Sequence, residues 1–192
     1  MINKIRKELV QAGRYLAELG YVEGREGNLS ARSEKGIVIK ATNIFLERAS
    51  SIDFSIMGLD GSLISGPQPS SEYRLHLEIY KRLPSINYVI HTHPTYSTAL
   101  SYVEDEIDTI TTESQFYLGK RVPVIPIIMP GTQELASAVT DVFEHGALAV
   151  VMKAHGLVSV GEDMTTAVMR SIATERCAEL TVLTRLLKSA RS

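Results

Sequence analysis

The order of strand and helix signals along the chain is the feature that most constrains its fold. Apolar residues from Ile2 to Leu19 recur at helical spacing and stop at Gly20, which predicts an amphipathic first helix. Short strand-like segments follow, and Asp60-Gly61 is a dipeptide suited to a tight hairpin turn between two of them. The predicted strands lie at 28–32, 36–40, 56–59 and 63–65. Together they predict an antiparallel meander.

Strands and helices alternate in the remainder of the chain. A Gly/Pro/Ser segment at 66–71 leads into a helix that Pro84 ends, and Asp163 can cap a long final helix. Further strands are predicted at 88–93, 122–128, 147–153 and 157–160, with helices at 95–102 and 132–143. Because the sequence shows no internal repeat and no interdomain linker, this order predicts one α/β domain over residues 1–192, built on a mixed sheet.

Composition narrows the class of partner. A formal net charge of −2 gives no sign of a nucleic-acid or membrane surface, which favours small metabolites. Cys177 is the only cysteine, so the sequence has no disulfide framework, and this residue is expected to be a small buried hydrophobe within a helix. No apolar stretch approaches membrane-spanning length. We therefore expect a cytoplasmic protein.

Two histidines stand together at the end of a predicted strand, in His91-Thr92-His93. Residues i and i+2 of a strand face the same side, so both imidazoles should project together. Such a pair alone fits a half-exposed strand as well as a metal site. His155 ends a second apolar run, and three protein ligands with an open position are typical of catalytic zinc. The other histidines, His76 and His145, are expected to be solvated or capping side chains.

An anion site is suggested by Ser70-Ser71-Glu72, which precedes a predicted helix. Free backbone N–H groups and the helix dipole favour an anion there, and two hydroxyls could hold a phosphate. On these residues alone an ordinary N-cap is favoured, with Glu72 only complementing the dipole. Gly27-Asn28 is a turn whose N–H groups could bind the same anion or simply reverse the chain.

Taken together, these segments resemble the class II aldolase/adducin family. The resemblance rests on Gly27-Asn28-Leu29-Ser30, Ser70-Ser71-Glu72-Tyr73-Arg74-Leu75-His76, His91-Thr92-His93-Pro94 and His155-Gly156-Leu157, in the family's order and at similar separations. It spans nearly the whole chain. It implies a three-layer α/β/α domain with a central mixed, largely antiparallel sheet.

The resemblance also implies roles for individual residues. It implies one Zn²⁺ per subunit, with Mn²⁺, Fe²⁺ or Co²⁺ as alternatives, and it makes Glu72 both a metal ligand and the catalytic base. The implied metal ligands are Glu72, His91, His93 and His155. The implied phosphate-binding residues are Gly27, Asn28, Thr42, Asn43, Ser70 and Ser71.

Two places depart from the family pattern. Relatives usually carry glycine where this chain has Asn43, and asparagine can adopt the left-handed conformation at some cost, so the phosphate loop is expected to have an altered geometry. Fuculose-phosphate aldolases protonate the oxygen of the departing aldehyde with a tyrosine. In this chain Glu113 is the residue nearest to the position of that tyrosine, and Tyr117 is the nearest residue with a phenol group. Glu113 is our candidate for the second catalytic residue. A solvated Glu113 and a packed Tyr117 are the alternatives.

Glu72 favours carbon–carbon bond cleavage, since related epimerases carry aspartate there and related dehydratases lack the acid. We expect a zinc-dependent aldolase that reversibly cleaves a ketose 1-phosphate, of the fuculose-1-phosphate kind, to dihydroxyacetone phosphate and a short aldehyde through a metal-stabilised enediolate. The resemblance implies a homotetramer with active sites between subunits. The alternatives are a sugar-phosphate epimerase, dehydratase or decarboxylase of the same family, and a non-catalytic adducin-like domain.

Overall fold

A nine-stranded sheet forms the centre of the computed structural model, which describes residues 1–191. In sheet order the strands are β4 (Leu63–Ser65), β3 (Phe54–Met57), β2 (Gly36–Lys40), β1 (Asn28–Ser33), β5 (Tyr88–Thr92), β9 (Gly156–Gly161), β8 (Ala149–Met152), β7 (Arg121–Ile125) and β6 (Glu106–Asp108). β7 and β8 pair in parallel, and the other neighbours in this sheet pair antiparallel. The prediction of a mixed, largely antiparallel sheet is confirmed.

Helices cover both faces of the sheet. α2 (Tyr73–Arg82) and α5 (Gln133–Glu144) pack on one face, and α1 (Ile2–Glu18), α3 (Thr95–Leu100), α4 (Thr112–Leu118) and α6 (Met164–Ser189) pack on the other. The strands serve both layers because successive side chains point to opposite faces. In β2, Ile37 and Ile39 pack with α2, whereas Val38 packs with α1. The predicted three-layer α/β/α architecture is thus confirmed.

The hairpin predicted at Asp60-Gly61 is present, but its loop is longer than a tight two-residue turn. The loop runs over residues 58–62 between β3 and β4. Gly61 adopts a φ of 91°, and the Asp60 carboxylate accepts a hydrogen bond from the Ser62 N–H at 3.0 Å. An aspartate that binds the backbone two residues ahead, followed by glycine at positive φ, accounts for the turn.

Two short elements, β6 and α4, were not predicted from the sequence. β6 has three residues, of which Ile107 alone is buried, so it shows too little alternation to be recognised. α4 has seven residues, which is slightly less than two helical turns. An apolar pattern of that length is too short to recognise. Its start does carry a recognisable signal, because the Thr111 hydroxyl accepts a hydrogen bond from the Ser114 N–H at 3.1 Å.

The pairing of β5 with β9 positions the functional residues. β9 lies between β5 and β8, and its register with β5 places Thr92 opposite Leu157. The end of β5 therefore meets the beginning of β9 in the middle of the sheet. Residues that follow β5 and residues that precede β9 are brought side by side, although they are far apart in sequence.

Candidate metal centre and adjoining cavity

The three predicted histidine ligands converge where β5 ends and β9 begins. His91 lies within β5, His93 follows it, and His155 precedes the first residue of β9. Their ring centroids are 4.6 to 5.2 Å apart, and their candidate ligand atoms all lie within 4.8 Å of one another. The backbone N–H of His93 donates to the Tyr21 carbonyl at 2.8 Å, which anchors the segment after the strand.

Glu72, the residue before α2, completes this group. Its Oε2 lies 3.1 Å from His91 Nε2, and its Oε1 lies 3.4 Å from His155 Nε2. His93 Nε2 lies 2.9 Å from His91 Nε2. The structure therefore brings together all four residues for which metal ligation was predicted.

The donor set fits a divalent cation. His91 Nδ1 must donate to the Leu157 carbonyl at 3.1 Å, so in the neutral ring Nε2 carries a lone pair that points at Glu72 and His93. Among the described residues, Glu72 Oε1 is buried without a hydrogen-bond partner. Convergent lone pairs with an unsatisfied carboxylate oxygen are what a cation would satisfy. Imidazole nitrogen with one carboxylate is a donor set that suits Zn²⁺.

Burial and mutual charge set the protonation states of the four ligands. Burial acts to raise the pKa of Glu72, but His91, His155 and the Asn28 amide outweigh it and hold that pKa well below its ordinary value. Burial, assisted by the charge of His91, lowers the pKa of His93 to about 3 and that of His155 to about 4. Burial also acts to lower the pKa of His91, but the facing Glu72 carboxylate outweighs it and the net direction is upward.

Metal affinity is expected to depend on pH through one proton. Because the depressed pKa values of His93 and His155 leave both rings neutral, and Glu72 is already ionised, only His91 must lose a proton to bind metal. The apparent dissociation constant for Zn²⁺ should fall about tenfold per pH unit from about pH 5 up to the raised pKa of His91, and level off above it. Competition with a chromophoric chelator measures this slope.

A His145→Ala variant is the control for that titration, since His145 lies outside the metal centre. It should show the same slope as the unmodified chain. A slope of two or three protons per Zn²⁺ would contradict the prediction, because His93 or His155 would then be protonated in the metal-free protein.

A buried chain of polar groups runs from Glu72 into the sheet. Asn28 Nδ2 donates to Glu72 Oε2 at 3.0 Å, and Oδ1 of the same amide accepts from His76 Nε2. On the other side of the ring, Ser30 Oγ donates to His76 Nδ1 at 2.6 Å and lies 2.9 Å from the Tyr80 hydroxyl. The Glu72 carboxylate can only accept hydrogen bonds, so the Asn28 NH₂ group must face it. The donor and acceptor of each further hydrogen bond along the chain are then determined in turn.

The prediction that His76 is solvated or capping is wrong. Its ring is fully buried, and burial lowers its pKa to about 3, so it is neutral. With its Nε2–H directed at Asn28 Oδ1, only the NH₂ group of that amide can face Glu72. His76 thereby fixes the orientation of Asn28. The sequence held a signal for this, since Glu72 and His76 are four residues apart at a helix start and share one side of the helix.

The predicted phosphate-binding residues line one cavity together with three of the four predicted metal ligands. This cavity measures about 240 Å³ and borders Glu72, His93 and His155. All of the predicted phosphate residues lie on its wall: Gly27, Asn28, Thr42, Asn43, Ser70 and Ser71. Asn43 has a φ of 61°, the left-handed conformation that the glycine-like position led us to expect. A ligand in this cavity would contact both groups of residues at once.

Three charged residues on the cavity wall were not predicted: Arg25, Glu26 and Lys40. The Lys40 side chain is buried at the end of β2, and its ammonium donates to the carbonyls of Arg25, Glu26 and Gly27 at 2.9, 3.3 and 2.7 Å. Burial lowers the pKa of Lys40 to about 8. Lys40 therefore holds the Gly27 turn against the sheet. A lysine at the end of an otherwise apolar strand was the available signal.

Glu113 and Tyr117 lie apart from this cavity within one chain. Both are on α4, where Glu113 is exposed, and they line a separate cavity of about 230 Å³ against α6. That cavity includes none of the predicted metal ligands. The proposal that either residue supplies the acid therefore depends on a neighbouring copy of the chain.

Other expectations for single residues can be compared with the structure. His145 ends α5, and its Nδ1 donates to the Asp141 carbonyl at 2.6 Å, which confirms the capping interpretation. Cys177 is fully buried on α6, as predicted for a small hydrophobe. Within residues 1–191, none of the helices combines the length and apolar character needed to cross a bilayer.

Gly156, the first residue of β9, is required for the close approach of the ligands. A Cβ atom there would lie 2.4 Å from the Thr92 carbonyl oxygen and 3.2 Å from His91 Cε1. We expect Gly156→Ala to destabilise the fold by about 3 kcal/mol and to weaken metal binding, because backbone must move apart. Thermal unfolding and zinc titration measure the two effects.

Gly20→Ala is the comparison for this substitution. Gly20 has a φ of 74° but nothing within 4 Å of the added methyl group, so only backbone strain of about 1 kcal/mol is expected there. If both variants unfold at the same temperature and bind zinc equally, the close approach at Gly156 is not important.

Comparison with known proteins places this site in a known family. The model of the class II aldolase and adducin N-terminal domain matches residues 7–182. The chain belongs to this family.

The relatives include both aldolases and a decarboxylase. An L-fuculose phosphate aldolase of Methanococcus maripaludis is 33% identical over 181 residues, covering 94% of this chain and 98% of the relative. A 3-oxo-tetronate 4-phosphate decarboxylase of Haemophilus influenzae is 33% identical over 186 residues, covering 94% of this chain and 88% of the relative. The crystal structure of L-fuculose-1-phosphate aldolase from Thermus thermophilus superposes with a TM-score of 0.90 at 25% identity, covering 97% of this chain and 96% of the aldolase chain. The chain is thus similar to fuculose-phosphate aldolases over almost its entire length.

Proposed function

We propose that this chain is a zinc-dependent class II aldolase that cleaves a ketose 1-phosphate to dihydroxyacetone phosphate and a short aldehyde. One observation carries the proposal. The Glu72 carboxylate contacts the imidazoles of His91 and His155 and also lines the cavity that holds the candidate phosphate-binding residues. A candidate base, candidate metal ligands and candidate phosphate-binding residues therefore lie around one small volume, which supports the proposal.

The position of Glu72 supports its role as a general base beside a metal. Zn²⁺ held by Glu72, His91, His93 and His155 would act as a Lewis acid toward the substrate's hydroxyl and carbonyl oxygens. Glu72 is ionised because its pKa is held low. An ionised carboxylate could take the proton from the adjacent carbon in the condensation direction, once a bound metal had made that carbon more acidic, and return it in cleavage.

The anion residues orient the substrate. The hydroxyls of Thr42, Ser70 and Ser71 and the turn at Gly27-Asn28 would hold the phosphate in the cavity that His93 and His155 also line. Fixing the phosphate places the reacting carbons beside Glu72 and removes much of the entropic barrier to reaction.

The acid that serves the aldehyde oxygen would come from a neighbouring subunit, with Glu113 as the candidate and Tyr117 as the alternative. Assembly is supported by large apolar side chains that one chain leaves exposed, since Phe116 is 82% exposed and Ile127 and Met129 are each 71% exposed. A homotetramer with active sites between subunits, acting in the cytoplasm, is the arrangement we propose.

A decarboxylase of 3-oxo-tetronate 4-phosphate type is the second candidate. The Haemophilus influenzae decarboxylase is as similar in sequence as the Methanococcus aldolase, and both names specify a phosphorylated substrate. Loss of carbon dioxide and cleavage of an aldol both leave negative charge on the carbon beside a carbonyl, so the same metal centre serves either reaction.

A substrate panel tests the proposal. Zinc-loaded protein is incubated with ketose 1-phosphates, and dihydroxyacetone phosphate is detected with a coupled reduction. We expect release of dihydroxyacetone phosphate that a chelator stops and added Zn²⁺ restores. Carbon dioxide from 3-oxo-tetronate 4-phosphate, without fragments from any ketose phosphate, would favour the decarboxylase. Absence of bound metal together with unchanged stability of His93→Ala would favour a non-catalytic, adducin-like domain.

A further inference from the structure

The cavity beside the candidate metal centre is lined by ionisable side chains of both signs as well as by hydroxyl groups. Besides the histidines, its ionisable residues are Arg25, Lys40, Glu26 and Glu72. A phosphate dianion entering here would meet two carboxylates. Hydroxyl and backbone N–H donors supply hydrogen bonds to phosphate but no net positive charge, so a cation on the phosphate side of the cavity matters for binding.

Lys40 is not free to contact a ligand. An ammonium group has three N–H donors, and those of Lys40 face the carbonyls of Arg25, Glu26 and Gly27. The side chain is also 2% exposed. Lys40 shapes the turn, and the direct cationic contact is left to Arg25.

Arg25 has the opposite character. Its side chain is exposed at the cavity wall, and among residues 1–191 its guanidinium makes one side-chain hydrogen bond, from Nη1 to Asn43 Oδ1 at 3.5 Å. A guanidinium has five N–H donors, so most remain available. Its backbone carbonyl is meanwhile fixed by Lys40, which places the base of the side chain at the turn.

Asn43 connects this arginine to the phosphate loop. Asn43 lies in the left-handed region with a φ of 61°, a conformation that favours glycine. Unlike glycine, asparagine brings a side-chain amide, and its oxygen is the group that accepts from Arg25. The neighbouring Thr42, a candidate phosphate ligand, is fixed by its own N–H, which donates to the Gln68 carbonyl at 2.9 Å.

We propose that Arg25, hydrogen-bonded to Asn43 at the cavity wall, gives the substrate phosphate a direct cationic contact. The inference rests on the proposed function, in which Gly27, Asn28, Thr42, Ser70 and Ser71 form the phosphate site. A planar guanidinium can give two parallel hydrogen bonds to phosphate oxygens. Asn43 thus orients the Arg25 guanidinium through its side-chain oxygen, which a glycine at this position would lack.

The test compares Arg25→Gln, Arg25→Lys and Asn43→Gly with an Arg48→Gln control. Arg48 is exposed, carries the same charge and follows the same loop, but it does not line the cavity. Inorganic phosphate is the probe, and calorimetric titration of the zinc-loaded protein measures its dissociation constant. KM and kcat for the best ketose 1-phosphate are measured in parallel.

Arg25→Gln should weaken phosphate binding about tenfold and raise KM by a similar factor, with kcat changed less than about threefold. Arg25→Lys should recover part of the affinity, since it keeps the charge but not the fork of donors. Asn43→Gly should weaken binding about threefold, because Arg25 loses its support. Arg48→Gln should bind phosphate as the unmodified chain does.

Phosphate affinity in Arg25→Gln within about twofold of the unmodified chain, or a loss equalled by Arg48→Gln, would overturn the inference. These outcomes are distinct from failure of the proposed function. If the unmodified chain cleaves ketose phosphates while Arg25→Gln binds phosphate normally, only the inference is lost. If no substrate is cleaved but phosphate binding still depends on Arg25, the inference stands and the aldolase proposal is abandoned.

Discussion

Replacing Glu72 by glutamine is expected to lower the turnover number by about a thousandfold or more, with the protein still folded. Glutamine keeps the size of the side chain but loses the basicity needed to move a proton at carbon. It also weakens the group as a metal ligand, so turnover must be measured at saturating zinc. Steady-state kinetics, with zinc titration by chelator competition, separates the two losses.

Glu26→Gln is the matched control, because it removes the same charge from the wall of the same cavity. Glu26 Oε2 lies 3.7 Å from His93 Nδ1, and its side chain is 55% exposed, so its electrostatic effect is screened by water. Its turnover should fall less than about tenfold. Equal losses in the two variants, or nearly normal turnover of Glu72→Gln at saturating zinc, would show that Glu72 is not the base.

The His76→Leu substitution is expected to weaken zinc binding by about 10- to 100-fold, although His76 is not itself a candidate metal ligand. Without the ring, Asn28 Oδ1 loses its donor, and the amide is free to turn its oxygen toward Glu72. Two oxygen atoms would then face each other where a hydrogen bond had been. The Ser30 hydroxyl also loses its acceptor, so about 2 kcal/mol of stability should be lost.

Two comparisons distinguish positioning from general destabilisation. Tyr80→Phe removes the hydroxyl at the far end of the same chain of polar groups, and zinc affinity should stay within about threefold. In a double-mutant cycle for zinc binding, His76→Leu should add little once Asn28 is alanine, because His76 acts through that amide. Additive losses in the cycle, measured below the unfolding temperature of each variant, would rule out this role.

Most of the fold and the grouping of the three histidines could be predicted from local features of the sequence. Period-two and helical patterns located the strands and long helices, because burial of one face leaves a regular trace. His91, His93 and His155 were identifiable as a group because they lie at or near the ends of predicted strands, whereas the role of Glu72 was implied only by the resemblance to the family. The three-residue β6 and the seven-residue α4 leave too short a pattern to recognise.

The supporting residues left only weak local signals, and their partners could not be predicted from them. His76 looked like an ordinary helical residue because its partners, Asn28 and Ser30, come from a strand more than forty residues away, with separations of 48 and 46. Lys40 and Arg25 acquire their roles only through the fold of the turn at Gly27. Such roles depend on tertiary register, which a single sequence does not contain.

The place of β9 between β5 and β8 has a consequence for synthesis of the protein. A ribosome-bound chain that has released only β1 to β5 exposes the β5 edge with its unpaired N–H and C=O groups, and it lacks His155. The later strands must be made before β9 can enter and close the centre of the sheet. The candidate metal centre is therefore completed in the last stages of translation, and truncated products would carry an open, association-prone strand without His155.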